Sequence, residues 1–244
     1  MESATFYWSD GEVDNPKEKC GLFGIFDSPG AVGKTYFGLH SQQHRGQESA
    51  GMAISDGEQI LGYTGMGLVS EVFTQTRLRE MSRYGNTVIG HVRYSTSGST
   101  RLENAQPILV DYSMGQVAVA HNGNLVNASL LRDEYEAYGH IFKGTSDSEI
   151  IIHLLAKPSH ISKPDTMAHV LSHLQGAFCL LFLFSDCLIA ARDAYGIRPL
   201  CIGQVEDGAY VVASETCALD IVDAEFVRDV EPGDHLRPAE RARA

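Results

Sequence analysis

Short, nearly continuous apolar runs separated by hairpin-length polar breaks alternate along the chain with stretches of helical spacing. Cys20–Phe26 reads as a strand ending at the turn-rich Asp27-Ser28-Pro29-Gly30, and a helix follows from Val32 to Gln43. Ser49–Ser55 and Gln59–Thr64 flank Asp56-Gly57-Glu58 as a hairpin. Leu68, Val72, Phe73, Leu78 and Met81 fall at mixed helical spacings and predict one amphipathic helix over Leu68–Met81. Strands near Thr87–His91 and Gln116–His121 are expected to deliver polar motifs at or just beyond their ends. Ala128–Tyr138 is helical by pattern, with Leu131, Tyr135 and Tyr138 along one side and Gly139 as its stop.

Ser146-Asp147-Ser148-Glu149 has the form of a capping box ahead of Ile150, Ile151, Leu154 and Leu155, which predicts a helix start there. Asp165–Gln175 is a further helix, and Ala177–Phe184 and Cys187–Arg192 form a buried hairpin around Ser185-Asp186. Strands near Leu200–Gln204, Ala209–Ser214 and Phe226–Val230 follow. This order indicates an α+β domain dominated by antiparallel sheet.

At 244 residues the chain can bury a substantial core, and neither a linker nor a composition break argues for two domains. A formal charge of −12 speaks against nonspecific attraction to nucleic acid or anionic lipid. Five dispersed cysteines without a CxxC pair favour reduced thiols in a cytoplasmic compartment over a disulfide framework. The first 19 residues carry Asp10, Glu12, Asp14 and Glu18 and no apolar centre, so they are neither a secretory signal nor a membrane span. They read as a propeptide or an N-terminal tail.

Cys20, within Lys19-Cys20-Gly21-Leu22-Phe23-Gly24-Ile25, gives that choice a chemical consequence. Cleavage before it would place a thiol nucleophile and a free α-amine base on one residue, since the amine, with a pKa of roughly 7.7–8.0, can take the thiol proton near neutral pH. The plain alternative is a buried cysteine at a strand start. Asn122-Gly123, taken alone, is a tight turn, and Asp147, taken alone, is an acid in a first helical turn. Gly30-Ala31-Val32-Gly33-Lys34-Thr35 lacks the first glycine of a phosphate loop, Ser28 standing there, and opens no parallel unit. His40/His44 and His169/His173 have the spacing of a helical metal pair but no convincing third ligand, so no metal ligand is assigned.

Long ordered motifs change these readings. Gln42-Gln43-His44-Arg45-Gly46-Gln47-Glu48-Ser49-Ala50-Gly51, His91-Val92-Arg93-Tyr94-Ser95-Thr96, Ala120-His121-Asn122-Gly123-Asn124-Leu125, Gly144–Glu149, Arg192–Leu200 and Ala213–Asp220 accompany the Cys20 run. Together, from Cys20 to about Gly233, the chain resembles the glutaminase domain of the glutamine phosphoribosylpyrophosphate amidotransferase family, among the N-terminal-nucleophile (class II) amidotransferases.

That resemblance implies a four-layer αββα sandwich with Cys20 at the start of a central strand. It implies hydrolysis of L-glutamine to L-glutamate and ammonia through a γ-glutamyl thioester on Cys20, with no cofactor, the ammonia normally feeding 5-phosphoribosylamine synthesis at the first step of purine biosynthesis. Asn122 and Gly123 match the family's oxyanion hole, Arg93 the grip on the substrate α-carboxylate and Asp147 the acid that binds its α-ammonium. Thr96 would line the substrate pocket, with Arg45 and Tyr94 supporting the site from behind and Asp193 with Arg198 as a structural charged pair. The domain would span residues 20–236, between a cleaved propeptide at 1–19 and a flexible tail at 237–244.

The family continues into a phosphoribosyltransferase domain that this chain does not include. The expected partners are therefore L-glutamine and either that missing domain or a separate phosphoribosyltransferase chain, with a homo-oligomer allowed and neither nucleic acid nor membrane expected. The iron–sulfur cluster of some members is held by cysteines beyond this region, so Cys217 is not assigned to it. Another N-terminal-cysteine amidotransferase, or a catalytically silent regulatory domain, are the alternative readings.

Overall fold

In a computed structural model the chain is described over residues 20–94 and 101–236. The predicted leader (1–19), the predicted tail (237–244) and Thr96 lie outside the described residues. The strands are β1 (Gly21–Ile25), β2 (Ser49–Ser55), β3 (Ile60–Met66), β4 (Thr87–Arg93), β5 (Ile108–Tyr112), β6 (Gly115–Leu125), β7 (Gly176–Phe184), β8 (Leu188–Arg192), β9 (Cys201–Gln204), β10 (Tyr210–Ala213), β11 (Glu225–Asp229) and β12 (His235–Leu236). The helices are α1 (Ala31–Ser41), α2 (Val69–Val72), α3 (Gln75–Met81), α4 (Ala128–Ala137), α5 (Glu149–Ala156), α6 (Pro158–Ile161), α7 (Thr166–Leu171) and α8 (Cys217–Asp220).

A seven-stranded sheet runs β11-β9-β10-β1-β4-β2-β3 and a five-stranded sheet runs β12-β8-β7-β6-β5. Every pairing in both is antiparallel. Antiparallel sheets commonly keep one face in water, but here both faces of the central strands are covered. In β1, Leu22 points into the core between the sheets while Phe23 and Ile25 face α1 and its neighbours. In β6, Ala118 and Ala120 face the first sheet while Val117 and Val119 face α4, α5 and α7. The same alternation in β7 sends Leu181 and Leu183 inward and Leu180 and Phe182 outward. A period of two with both phases apolar reads in sequence as a continuous hydrophobic run. The result is helices, sheet, sheet and helices in four layers, as the resemblance implies.

Three local expectations fail for identifiable reasons. The single helix over Leu68–Met81 is instead α2 and α3, because Phe73 turns into the core and the Thr74 hydroxyl caps the second helix by accepting the Arg77 amide at 3.3 Å. The capping box at Ser146 does not close. The helix begins at Glu149, whose carboxylate accepts the Lys143 and Gly144 amides, each at 2.8 Å, while the Ser146 hydroxyl accepts the Ser148 amide. Tyr138 is 72% exposed and not part of the buried side of α4, since that helix stops at Ala137 before the left-handed Gly139. The half-buried strand β5 and the short α6 are additions that the sequence pattern does not mark.

The fully buried Leu181 between the sheets gives a direct check on the layering. Leu181→Ala is expected to cost about 2–5 kcal/mol in urea denaturation, whereas Tyr138→Ala should stay within about 0.5 kcal/mol of the parent. Similar small losses at both positions would contradict the inter-sheet core.

Candidate active site at the head of the central strand

Cys20 precedes β1, which lies at the middle of the seven-stranded sheet between β10 and β4. It is 5% exposed, and its φ of 61° is the left-handed region, rarely used by a residue with a side chain. Arg45 holds it there from both sides of the peptide. The Cys20 amide donates to the Arg45 carbonyl at 3.0 Å, and the Arg45 Nε donates to the Cys20 carbonyl at 2.7 Å. Arg45 itself is 1% exposed, and its Nη1 pairs with Glu215, which also receives His44 Nε2 at 2.8 Å. Burial works against the Glu215 carboxylate, but the Arg45 hydrogen bond and charge, with His44 beside them, outweigh it and hold its pKa below the ordinary carboxylate value.

Antiparallel register sets Gly21 opposite Val92, so one further step brings Arg93, the last residue of β4, alongside Cys20. Arg93 is 3% exposed and its Nη1 meets Glu48 Oε2 at 3.3 Å. Its main chain is approached so closely by Gly46 that a β-carbon there would stand 2.6 Å from the Arg93 carbonyl carbon, which explains the glycine in that motif. The next residue, Tyr94, contributes through its backbone: its carbonyl accepts the Cys20 thiol at 3.4 Å, while the residue as a whole is 39% exposed. Burial raises the Cys20 pKa above the ordinary thiol value, opposed by the Tyr94 hydrogen bond and the Arg93 and Arg45 charges and reinforced by Asp147. The thiol therefore holds its proton at neutral pH and feels both the Arg93 cation and the Asp147 carboxylate.

Asn122 and Gly123 lie inside β6 and not beyond its end, a correction to the placement the pattern predicts. Asn122 is fully buried; its Nδ2 donates to Ser214 Oγ at 3.5 Å, and its Oδ1 has no partner among the described residues. Ser214 Oγ also accepts the Leu22 amide at 3.0 Å, so this hydroxyl joins the two sheets beside the head of β1. Gly123 has φ +157°, and a β-carbon on it would come within 2.0 Å of the Ala177 carbonyl oxygen. Only glycine fits that step of the strand.

Asp147, on the turn before α5, accepts the Leu125 amide at 2.9 Å through Oδ2, which ties it to the end of β6. Behind it lies a buried polar network. His121 Nδ1 meets Ser148 Oγ at 2.9 Å, the Gln106 side chain donates to that hydroxyl at 3.0 Å and accepts the His121 amide at 2.7 Å, and His91 Nε2 meets the His121 carbonyl at 3.1 Å. Burial pushes the His91 pKa down to about 3 and lowers that of His121 as well, so both rings are neutral supports.

The structure thus gathers Cys20, Arg45, Arg93, Tyr94, Asp147, Asn122 and Gly123 around the head of β1, and leaves Thr96 outside the described residues. Glu215, Ser214, Glu48 and the His121–Ser148–Gln106 network are additions. Glu215 and Ser214 sit in the Ala213–Asp220 motif, which marks them as notable without saying what they touch. Asp193 and Arg198 are not a charged pair: among the described residues no ion pair joins them, and Asp193 instead accepts the Phe178 and Tyr195 amides at 3.2 and 2.9 Å.

Fold and site together define a glutamine amidotransferase with the sandwich of the N-terminal-nucleophile hydrolases. A family profile described as a glutamine amidotransferase domain matches residues 91–220, and the chain belongs to that family. Within it the chain is similar to named amidophosphoribosyltransferases. It is 46% identical over 226 residues to that of Bacillus subtilis (strain 168), covering 92% of this chain and 47% of that protein. To that of Methanocaldococcus jannaschii it is 48% identical over 219 residues, covering 88% and 46%. The solved structure of the B. subtilis glutamine phosphoribosylpyrophosphate amidotransferase superposes with a TM-score of 0.83 at 46% identity, covering 89% of this chain and 47% of that one. The chain spans less than half the length of these relatives.

The Arg45–Glu215 pair carries a pH signature. A depressed carboxylate pKa adds stability that is complete above the unfolded value of 4.5 and is lost as pH falls through the lower folded value. Glu215→Gln is expected to lower unfolding free energy near neutral pH by about 1–3 kcal/mol, and the gap to the parent should close below pH 4.5 in denaturation series. A gap that stays constant into that acid range would show that the carboxylate charge is not what matters.

Proposed function

We propose that the chain hydrolyses L-glutamine to L-glutamate and ammonia, with Cys20 as nucleophile after the Lys19–Cys20 bond is cut. The observation that carries the reading is the state of Cys20: a buried thiol held protonated, on a residue whose backbone nitrogen is fixed beside it. Such a thiol needs a local base. Cleavage turns the Cys20 amide nitrogen into an amine, still next to the Arg45 carbonyl that now accepts it at 3.0 Å. Cleavage also removes the left-handed torsion at Cys20, a strain of roughly 1–3 kcal/mol.

In the reaction the amine takes the thiol proton as sulfur attacks the side-chain amide carbon of glutamine. The proton passes to the leaving nitrogen, ammonia departs, and water activated by the same amine hydrolyses the γ-glutamyl thioester. The Asn122 side-chain amide, held by one long hydrogen bond, and the Gly123 N–H receive the charge that develops on the carbonyl oxygen. Arg93 takes the α-carboxylate of the substrate as a planar fork, and Asp147 takes its α-ammonium. Leaving either charge of the substrate unpaired in a closed site is costly, which selects glutamine over plain amides.

The ammonia is normally consumed in 5-phosphoribosylamine synthesis, the first step of de novo purine biosynthesis. The relatives that support this assignment are amidophosphoribosyltransferases more than twice the matched length. A phosphoribosyltransferase domain or chain is accordingly the partner of this one.

Glutamate release from L-glutamine by chain whose first residue is Cys20 by mass measurement tests the reading. Release is expected, falling as pH drops below the amine pKa of roughly 7.7–8.0, and Cys20→Ala should abolish it. No release from the chain that begins at Cys20 would overturn the assignment. Asn122→Ala should lower kcat by about 100- to 1000-fold with little change in KM, whereas Asp147→Asn should act mainly by raising KM; the reverse pattern would exchange their roles.

A further inference from the structure

Away from the head of β1, in the helical layer outside the five-stranded sheet, three histidine rings meet. His160 lies in α6, His169 in α7 and His173 just beyond α7, with ring centroids 4.6, 4.8 and 4.7 Å apart pairwise. One ring nitrogen from each lies within 4.8 Å of one from each of the others. His169 and His173 have helical spacing, and the third ligand that sequence spacing does not supply comes from the neighbouring helix.

The surroundings set the rings as donors. His160 Nδ1 contacts the Leu154 carbonyl at 2.9 Å, and His173 Nδ1 contacts the His169 carbonyl at 2.8 Å. A carbonyl oxygen only accepts, so each of these nitrogens carries hydrogen, and the neutral ring keeps its lone pair on Nε2. A main-chain carbonyl on the second ring nitrogen is the usual outer support of a metal-binding histidine. His160 is 4% exposed, while His169 and His173 are partly open to solvent, so an ion has an entry path and a position for water.

We infer that His160, His169 and His173 form a binding site for a divalent transition-metal ion of the zinc class, which pins α6 against α7. Imidazole donors suit zinc, copper(II) and nickel and not magnesium or calcium. Three histidines and a water complete a tetrahedral zinc shell, with Zn–N near 2.0–2.1 Å, so the rings close inward on binding. The two helices have four and six residues, too short to be stable alone, and a cross-link between them supplies what their length does not.

Zinc titration of the chelator-treated full chain carrying Cys20→Ala, which removes the competing site thiol, tests the inference by calorimetry. One ion per chain is expected, with a rise in Tm, and magnesium should give neither. His169→Gln and His173→Gln, both at partly exposed positions, should each weaken zinc binding at least about 10-fold with unchanged circular dichroism. His44→Gln, from the histidine pair that lacks a third ring, should leave it unchanged. Absence of zinc binding by the folded parent, equal binding by the His169 and His173 variants, or equal loss in His44→Gln would each overturn the site.

Discussion

Arg45 bears a permanent charge at 1% exposure, and the way it is satisfied fixes the geometry of everything around Cys20. A guanidinium has five donors and cannot shed its proton, so its burial is stable only with acceptors in place. Here they include two from distant parts of the chain: the Cys20 carbonyl at the head of β1 and the Glu215 carboxylate after β10. Removing the charged partner leaves the buried cation without that carboxylate, which is the source of the loss of about 1–3 kcal/mol expected for Glu215→Gln. Arg45 also accepts the Cys20 amide through its own carbonyl. Position, direction and left-handed torsion of the nucleophile thus follow from one side chain and its peptide, and Cys20 has little freedom to turn away from Arg93 and Tyr94.

This clasp works because β1 cannot move. Both of its edges are paired, Leu22 is locked between the sheets, and Phe23 and Ile25 are locked under α1. Strand identity was legible in the sequence because each central strand is apolar in both phases. The layering was not legible, since a continuous run does not say which phase meets the other sheet. The helix over Leu68–Met81 misled because Val72, Phe73, Leu78 and Met81 do pack on one core, but from two short helices whose break is made by Thr74. The Ser146 pattern misled for a similar reason, since Glu149 found amide donors in Lys143 and Gly144 ahead of the expected cap.

At the site, residue types carried more information than their spacing. Cys20, Arg93, Asn122, Gly123 and Asp147 stand far apart in sequence, and only long motifs tied them to one place. Their supports were harder to find. Ser214 acts by joining Leu22 and Asn122 across the two sheets, and Glu215 by pairing with a residue 170 positions away. No local pattern encodes such a contact. Asp193 and Arg198 show the opposite error, in which two nearby charges suggested a pair although the carboxylate is consumed by the Phe178 and Tyr195 amides.

Burial of the Cys20 thiol also links structure to the order of events in the proposed reaction. A reactive cysteine usually owes its reactivity to a depressed pKa, and the cations Arg93 and Arg45 do push in that direction. Desolvation outweighs them, with Asp147 adding to it. In the uncut chain the thiol is therefore a weak nucleophile. Among the described residues no histidine is hydrogen-bonded to it: His91 and His121 each anchor one ring nitrogen in the network beneath Asp147. In the proposed reaction the missing base is the nitrogen already beside the sulfur, which becomes basic only when the bond to residue 19 is broken. On this reading the residues before Cys20 keep the site inert by occupying the one atom that the chemistry lacks.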